Sequence, residues 1–206
     1  MGKVTTIRGV SNDAQPDIDV TIPYLVDVDV VGVSSMLFHR WSCDAVDEKA
    51  KAAKGSKIKK SDNLESYVYR NETGELCLPG EYLRRSIVVA AKYRQDPRSP
   101  RKSAFDLFNA GLVAMTELCG LGTQEWDFLD RRRVVIQRNA ITRERPGFRT
   151  GWTASCQFQI LVPEYIGPDL LAGVVADAGR LVGVGDFRPT FGRFRISRFE
   201  KVQLAA

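Results

Sequence analysis

An α+β domain, built on a β-α-β-β-α-β sheet with helices on one face and an insertion after the first strand, is predicted by three observations. Val26, Val28 and Val30 alternate with Asp27 and Asp29, the period of two that a half-buried strand requires. Leu83, Ile87, Val88 and Ala91 recur at helical spacing, with Arg84, Arg85 and Lys92 on other faces. Between these segments, residues 44–66 carry a lysine-rich tract with almost no large apolar residue. At 206 residues the chain has the length of one sizeable domain, so 1–206 is read as a single unit carrying a 44–66 insertion.

The first strand is placed on Val20 to Trp41, ending at the His39-Arg40-Trp41 cluster. From Asp44 to Ser61 the larger apolar residues are Val46 and Ile58, among Lys49, Lys51, Lys54, Lys57, Lys59 and Lys60. This is read as a mobile loop with a short helix over Asp47 to Lys54. "ESYVYRNETGELCLPG" reads as a hairpin turning at Asn71 to Gly74. Pro79-Gly80 opens a first helix over 81–94, and a linker with Pro97 and Pro100 separates it from a second helical segment, 104–118, ended by Gly120 and Gly122. Residues 132–162 read as two long strands joined through Pro146-Gly147 and Gly151, the second alternating Cys156, Phe158 and Ile160 with polar residues. A third helix over 167–181 turns Leu170, Leu171, Val174, Val175 and Ala178 inward. The last strand sets Arg193, Arg195 and Arg198 among Phe194, Ile196 and Phe199. Without the insertions this order is the ferredoxin-like, RRM-type arrangement.

Hydrophobic residues make up 44% and charged residues 27% of the chain, proportions of a folded domain, and no apolar run is long enough to cross a bilayer. "MGKVTTIRGV" lacks the apolar stretch of a secretory signal. Cys43, Cys77, Cys119 and Cys156 stand more than thirty residues apart, so no C-x-x-C pair seeds a metal or redox site, and four isolated thiols suit a reducing cytoplasm. No H-E-x-x-H, Walker loop, nucleophile elbow or paired-metal carboxylate set occurs, so neither metal nor cofactor is expected.

Net charge is +5 and unevenly placed. Arg131 to Arg149 holds seven arginines against Glu144; Arg180 to Lys201 holds five arginines and a lysine against Asp186 and Glu200. Arginine favours planar, bidentate contact with phosphate. Gly183 and Gly185 permit positive φ and close approach of backbone N–H groups to an anion. Arg188, Arg193 and Arg195 are candidates to neutralise phosphates, and Phe187 or Phe191 to stack on a base. The same glycines also suit a tight connection, and the phenylalanines a core.

"LCLPGEYLRRSI" resembles the "IPGSSLKGALR" element that opens the first helix in the RAMP superfamily, the repeat-associated proteins of CRISPR systems. "LVGVGDFRPTFGRF" resembles their glycine-rich loop before the last strand, and "SSMLFHR" their early strand end before an insertion. The resemblance covers roughly residues 20–200, and the layout is most similar to backbone subunits that polymerise along a guide RNA. It implies a non-catalytic protein that binds single-stranded guide RNA, pairs it with a complementary target, and assembles with copies of itself and other CRISPR subunits in a cytoplasmic ribonucleoprotein of antiviral defence. Pro79, Gly80, Leu83 and Arg84 match the helix-opening motif. Glu81-Tyr82 stand where it has paired serines, and Arg85 where it has glycine. The RNA-binding set expected from motif and charge is His39, Arg40, Lys57, Lys59, Lys60, Arg84, Arg85, Gly183, Gly185, Arg188 and Arg193. No catalytic residue is assigned. Two other readings stay open: a metal-independent endoribonuclease that processes guide RNA, with His39 as the general acid-base group and Arg40 beside it; and a stand-alone, host or viral, single-strand-binding protein of the same fold. A second catalytic option is Asp62, at the end of the insertion, where the resemblance implies the aspartate of some target-cleaving backbone subunits. RNA and single-stranded DNA are not separated at this point, since contact with a 2′-hydroxyl leaves no sequence trace.

Overall fold

The computed structural model describes residues 22–40, 63–136 and 139–202, together with the isolated positions 43, 47 and 51. In chain order these form β1 (Tyr24–Gly32), β2 (Met36–Leu37), β3 (Tyr69–Arg70), β4 (Leu76–Pro79), α1 (Gly80–Ala90), β5 (Gln95–Asp96), β6 (Ser99–Ser103), α2 (Phe105–Gly111), β7 (Leu112–Ala114), β8 (Leu118–Gly120), β9 (Phe128–Ile136), β10 (Asn139–Phe148), β11 (Thr153–Ile160), α3 (Pro168–Asp177) and β12 (Phe194–Val202). The architecture is α+β with antiparallel sheets. The largest sheet runs β12-β1-β11-β7; β2-β10-β9 and β3-β4-β8 form two smaller ones.

The valine alternation in β1 is the reason for this arrangement. Val26, Val28 and Val30 are fully buried, and the register sets them opposite Phe158, Cys156 and Ala154 of β11 on the same face. Leu83 and Ile87 of α1, Phe108 of α2 and Val174 and Val175 of α3 join them in one apolar cluster. Each such side chain contributes about 1.5–3 kcal/mol by leaving water. On the opposite face Asp27 accepts a hydrogen bond from Gln157 Nε2 at 2.8 Å. A register shift between Asp29 and Val30 sets Arg198 opposite Asp29 and Arg195 opposite Val31, so both arginines stand on that polar face while Phe194, Ile196 and Phe199 follow the core face.

Four sequence expectations are corrected. The first strand breaks after Gly32, because the Trp152 indole occupies the space where a Cβ would stand, with Nε1 2.1 Å from that point. The same nitrogen donates to Ser34 O at 2.9 Å and fixes the turn into β2. The second helix stops at Gly111, which packs against Val162 and Ile166, and Leu112–Ala114 pair with Ile160–Phe158 as an edge strand of the main sheet. Helical propensity yields there to an unfilled sheet edge. The 132–162 region contains three strands rather than two: β9 pairs with β10, Pro146 and Gly147 lie inside β10, and β10 pairs with β2 instead of joining the main sheet. Finally, the four cysteines are not all free thiols: Cys119 of β8 and Cys156 of β11 form a disulfide, leaving Cys77 buried and Cys43 exposed. Spacing along the chain carries no information about that meeting between two sheets.

The predicted hairpin is present as β3–β4, and the proline-marked linker forms the small β5–β6 pair. In the insertion, Cys43, Asp47 and Lys51 are helical; Lys57, Lys59, Lys60 and Asp62 lie outside the described residues. Among the described residues no helix is long and apolar enough to cross a membrane.

Candidate nucleic-acid interface

Three segments remote in sequence close around a cleft of about 300 Å³: Phe38 and His39 after β2, Tyr82 and Arg85 on the first turns of α1, and Gly185, Asp186 and Arg188 of the loop before β12. Backbone bonds set this convergence. Asp186 N donates to Leu37 O at 2.8 Å, which aligns the loop with β2; Phe38 N donates to Pro146 O at 3.0 Å, which aligns β2 with β10. His39 is half-buried with its ring 4.6 Å from that of Tyr67. Arg85 and Arg188 are exposed, so two guanidinium groups and one imidazole share a concave wall.

Tyr82 links this cleft to the next. Its hydroxyl hydrogen-bonds that of Tyr69 at 2.8 Å, and the Arg40 guanidinium lies 4.7 Å above the Tyr69 ring. Burial pushes the Tyr82 hydroxyl well above the ordinary tyrosine range, Tyr69 adds to the rise, and the charges of Arg40 and Arg188 oppose it. Arg40 itself lines a neighbouring concavity of about 510 Å³ with Tyr69, Arg70 and Pro79.

The glycine-rich loop is built by backbone packing on backbone. Gly192 has φ +75°, and a Cβ there would lie 1.7 Å from Val184 O; Gly185 has φ +76°, and its Cβ would lie 2.5 Å from Leu37 O. Val184 N donates to Gly192 O at 2.9 Å, Gly192 N to Ser35 O at 2.7 Å and Gly183 N to Ala178 O at 2.8 Å. These amides therefore close the loop rather than point at an anion. Gly80, in the helix-opening motif, behaves alike: its N–H donates to Glu117 O at 2.9 Å, and a Cβ would sit 2.0 Å from Thr116 O.

Of the expected residues, the cleft gathers His39, Arg85, Gly185 and Arg188 and has Arg40 beside it. It does not gather Arg84, whose Nε donates to Leu112 O at 2.7 Å and Nη2 to Asn109 O at 2.8 Å, holding the end of α2. Gly183 is buried behind the loop. Arg193 is exposed at the loop's far end, its N–H donating to Ser34 Oγ at 2.9 Å. Sequence reasoning passed over Asp186 and Arg145: Arg145 Nε donates to Asp186 Oδ2 at 2.6 Å. The charge count between Arg131 and Arg149 also overstated the field, since Asp130 takes Arg132 at 2.7 Å and Glu144 takes Arg131 at 3.3 Å. Phe187, with φ 59°, and Phe191 meet edge to face at 6.0 Å, and the Arg132 guanidinium lies 5.4 Å and 4.7 Å from their centroids.

No protein-family model matches the chain, and no curated protein matches it. Among solved structures, a chain in the cryo-EM structure of the Type III-B Cmr-beta bound to cognate target RNA has a similar fold, with a TM-score of 0.53 at 8% sequence identity. The match covers 88% of this chain and 61% of that one, so this chain spans about three fifths of the length of its structural counterpart.

Proposed function

We propose that this protein binds single-stranded RNA through the phosphates, in the cleft between β2, α1 and the glycine-rich loop, as a non-catalytic backbone-type subunit of a CRISPR ribonucleoprotein. The observation that carries this reading is the convergence of His39, Arg85 and Arg188 on one concave wall from segments more than forty residues apart. A groove lined by cations attracts a phosphate chain without regard to base sequence. The fold likeness to a chain of an RNA-bound assembly supports the choice of RNA over other anions. A ferredoxin-like, RRM-type core is part of the proposal, as is a single domain. With β1, β7, β11 and β12 as its four strands, the sheet order β12-β1-β11-β7 and the placing of α1 and α3 between strands agree with it, and one apolar cluster runs from Tyr24 to Phe194.

The deciding experiment is fluorescence anisotropy with labelled single strands of RNA and DNA across a salt series. Salt-sensitive, sequence-tolerant binding that favours RNA supports the proposal; no binding at low salt ends it. A second reading, metal-independent RNA cleavage, draws on the position of His39, the single histidine of the chain, beside Arg85 and Arg188. Incubating labelled guide precursor with the protein and with His39→Ala separates the two: cleavage lost in the variant by roughly 10²-fold or more establishes catalysis.

A further inference from the structure

Across Gly185, Asp186 and Arg188 the cleft continues into a second concavity of about 480 Å³, bounded by Tyr93 beyond α1, Leu181, and Phe187 and Pro189 of the loop. Beside the charged Asp186 and Arg188, its apolar walls are open to solvent: Tyr93 is 65%, Phe187 44% and Leu181 39% exposed. Phe187 is the informative residue. Its φ of 59° lies in the left-handed region, where a bulky side chain is strained and glycine or asparagine would fold more readily. The surroundings hold it there. Its N–H donates to Asp186 Oδ1 at 2.9 Å, Asp186 is in turn gripped by Arg145, and the guanidinium groups of Arg132 and Arg145 lie 5.4 Å and 6.0 Å from the ring. The ring also meets Phe191 edge to face at 6.0 Å, and an aromatic ring held this firmly while 44% exposed is what a stacking platform requires.

We propose that this second concavity seats one nucleobase of the bound strand, stacked on Phe187, while Arg188, shared by both concavities, holds the adjoining phosphate. The inference rests on the single-strand binding proposed above and adds the base contact to it. Nucleic acid is favoured over an apolar side chain of another protein because Arg188 lines the concavity and Arg85 the adjoining cleft, while Asp186, the carboxylate that lines both, is already paired with Arg145. Stacking on a ring is open to every base, so the contact adds affinity without reading sequence.

The test compares two labelled oligonucleotides of equal length, one normal and one abasic at every position, which keep the same phosphates. Binding is followed by anisotropy for the wild type, Phe187→Gly and Phe187→Trp. Wild type is expected to bind the normal strand about tenfold or more tightly than the abasic one. Phe187→Gly should lose that difference and bind the abasic strand as wild type does, since glycine accepts the left-handed backbone that the loop needs. Phe187→Trp should keep the preference. Equal binding of both strands by wild type, or an equal loss on both in Phe187→Gly, overturns the base seat while leaving phosphate binding intact. Binding of neither strand by wild type overturns both proposals.

Discussion

Arg145 on β10 donates to Asp186 in the glycine-rich loop, across 41 residues of sequence and 2.6 Å of space. The arginine side chain is 8% exposed and its Nη1 is buried without a hydrogen-bond partner, so Asp186 is the carboxylate that balances a largely desolvated cation. Because the Asp186 amide also bonds Leu37 O, this pair fixes the loop to β2 and β10 together.

Removing one partner of such a pair costs more than removing both. Asp186→Asn is expected to lower stability by about 2–4 kcal/mol, through the unpaired Arg145 charge. The double variant with Arg145→Met should recover most of that loss. Urea unfolding of the two variants checks it; a single-variant cost below about 1 kcal/mol would mean that the link carries little.

Two adjacent arginines are expected to separate folding from binding. Arg84 bonds the backbone carbonyls of Asn109 and Leu112, so Arg84→Ala should cost about 1–3 kcal/mol of stability and leave the salt dependence of RNA binding unchanged. Arg85 and Arg188 face the cleft. Replacing both with alanine should leave stability close to wild type, weaken binding to all sequences alike, and flatten the slope of log affinity against log salt by roughly 1–2. Thermal melts and a salt titration on the same three proteins give the comparison.

Alkaline stability should report on two tyrosines. Tyr24 donates to Ile166 O at 2.8 Å, Tyr82 meets Tyr69, and burial raises both hydroxyls well above their unfolded value. A raised folded pKa means that the stabilisation is fully present below the unfolded value of about 10 and is lost as pH rises beyond it, because the unfolded chain then releases protons that the folded one retains. Some of the six tyrosines should therefore resist ionisation in a tyrosinate absorbance titration until the chain unfolds. The Tyr24→Phe, Tyr82→Phe variant should show a shallower alkaline decline in its urea midpoint.

The same contrast between local and distant causes explains what could be read from the sequence. The β1 face, α1, the β3–β4 hairpin and α3 rest on periodicity and turn residues within one segment, and all were legible. β7 was hidden in a helical pattern because its state is set by the free edge of β11, and Pro146-Gly147 resembled a turn because nothing local announces that Phe128 packs over Gly147. At the site, chemistry singled out His39, Arg85, Gly185 and Arg188, which the fold gathers. It also singled out Arg84, one position away on the helix, which the fold turns to α2 instead. Residue type identifies an arginine, whereas the direction it faces depends on packing from other elements. Asp186 was counted only as a charge against the arginines, although it is the residue that orients the loop.

Assembly along a strand is the last expectation, and it follows from geometry and charge. A surface that binds a repeating polymer without sequence preference can meet the next copy head to tail, giving an open array when the rotation does not close. Strand addition at the edge of the main sheet is disfavoured, because β12 carries Arg195, Arg198, Glu200 and Lys201 along it. The lysine-rich insertion is the better candidate for the contact: Lys49, Lys51, Lys54, Lys57, Lys59 and Lys60 repel one another in isolation and would gain from a neighbour's bound phosphates. Purified protein is therefore expected to be small without nucleic acid and to form particles whose mass rises in steps with oligonucleotide length. Deleting Ala50 to Lys60 should reduce the cooperativity of assembly more than it reduces binding of one copy to a short strand. Light scattering over a length series, run beside anisotropy on the shortest strand, decides the matter: a fixed small oligomer at every length, with the deletion indistinguishable from wild type, would leave a solitary binding protein and no array.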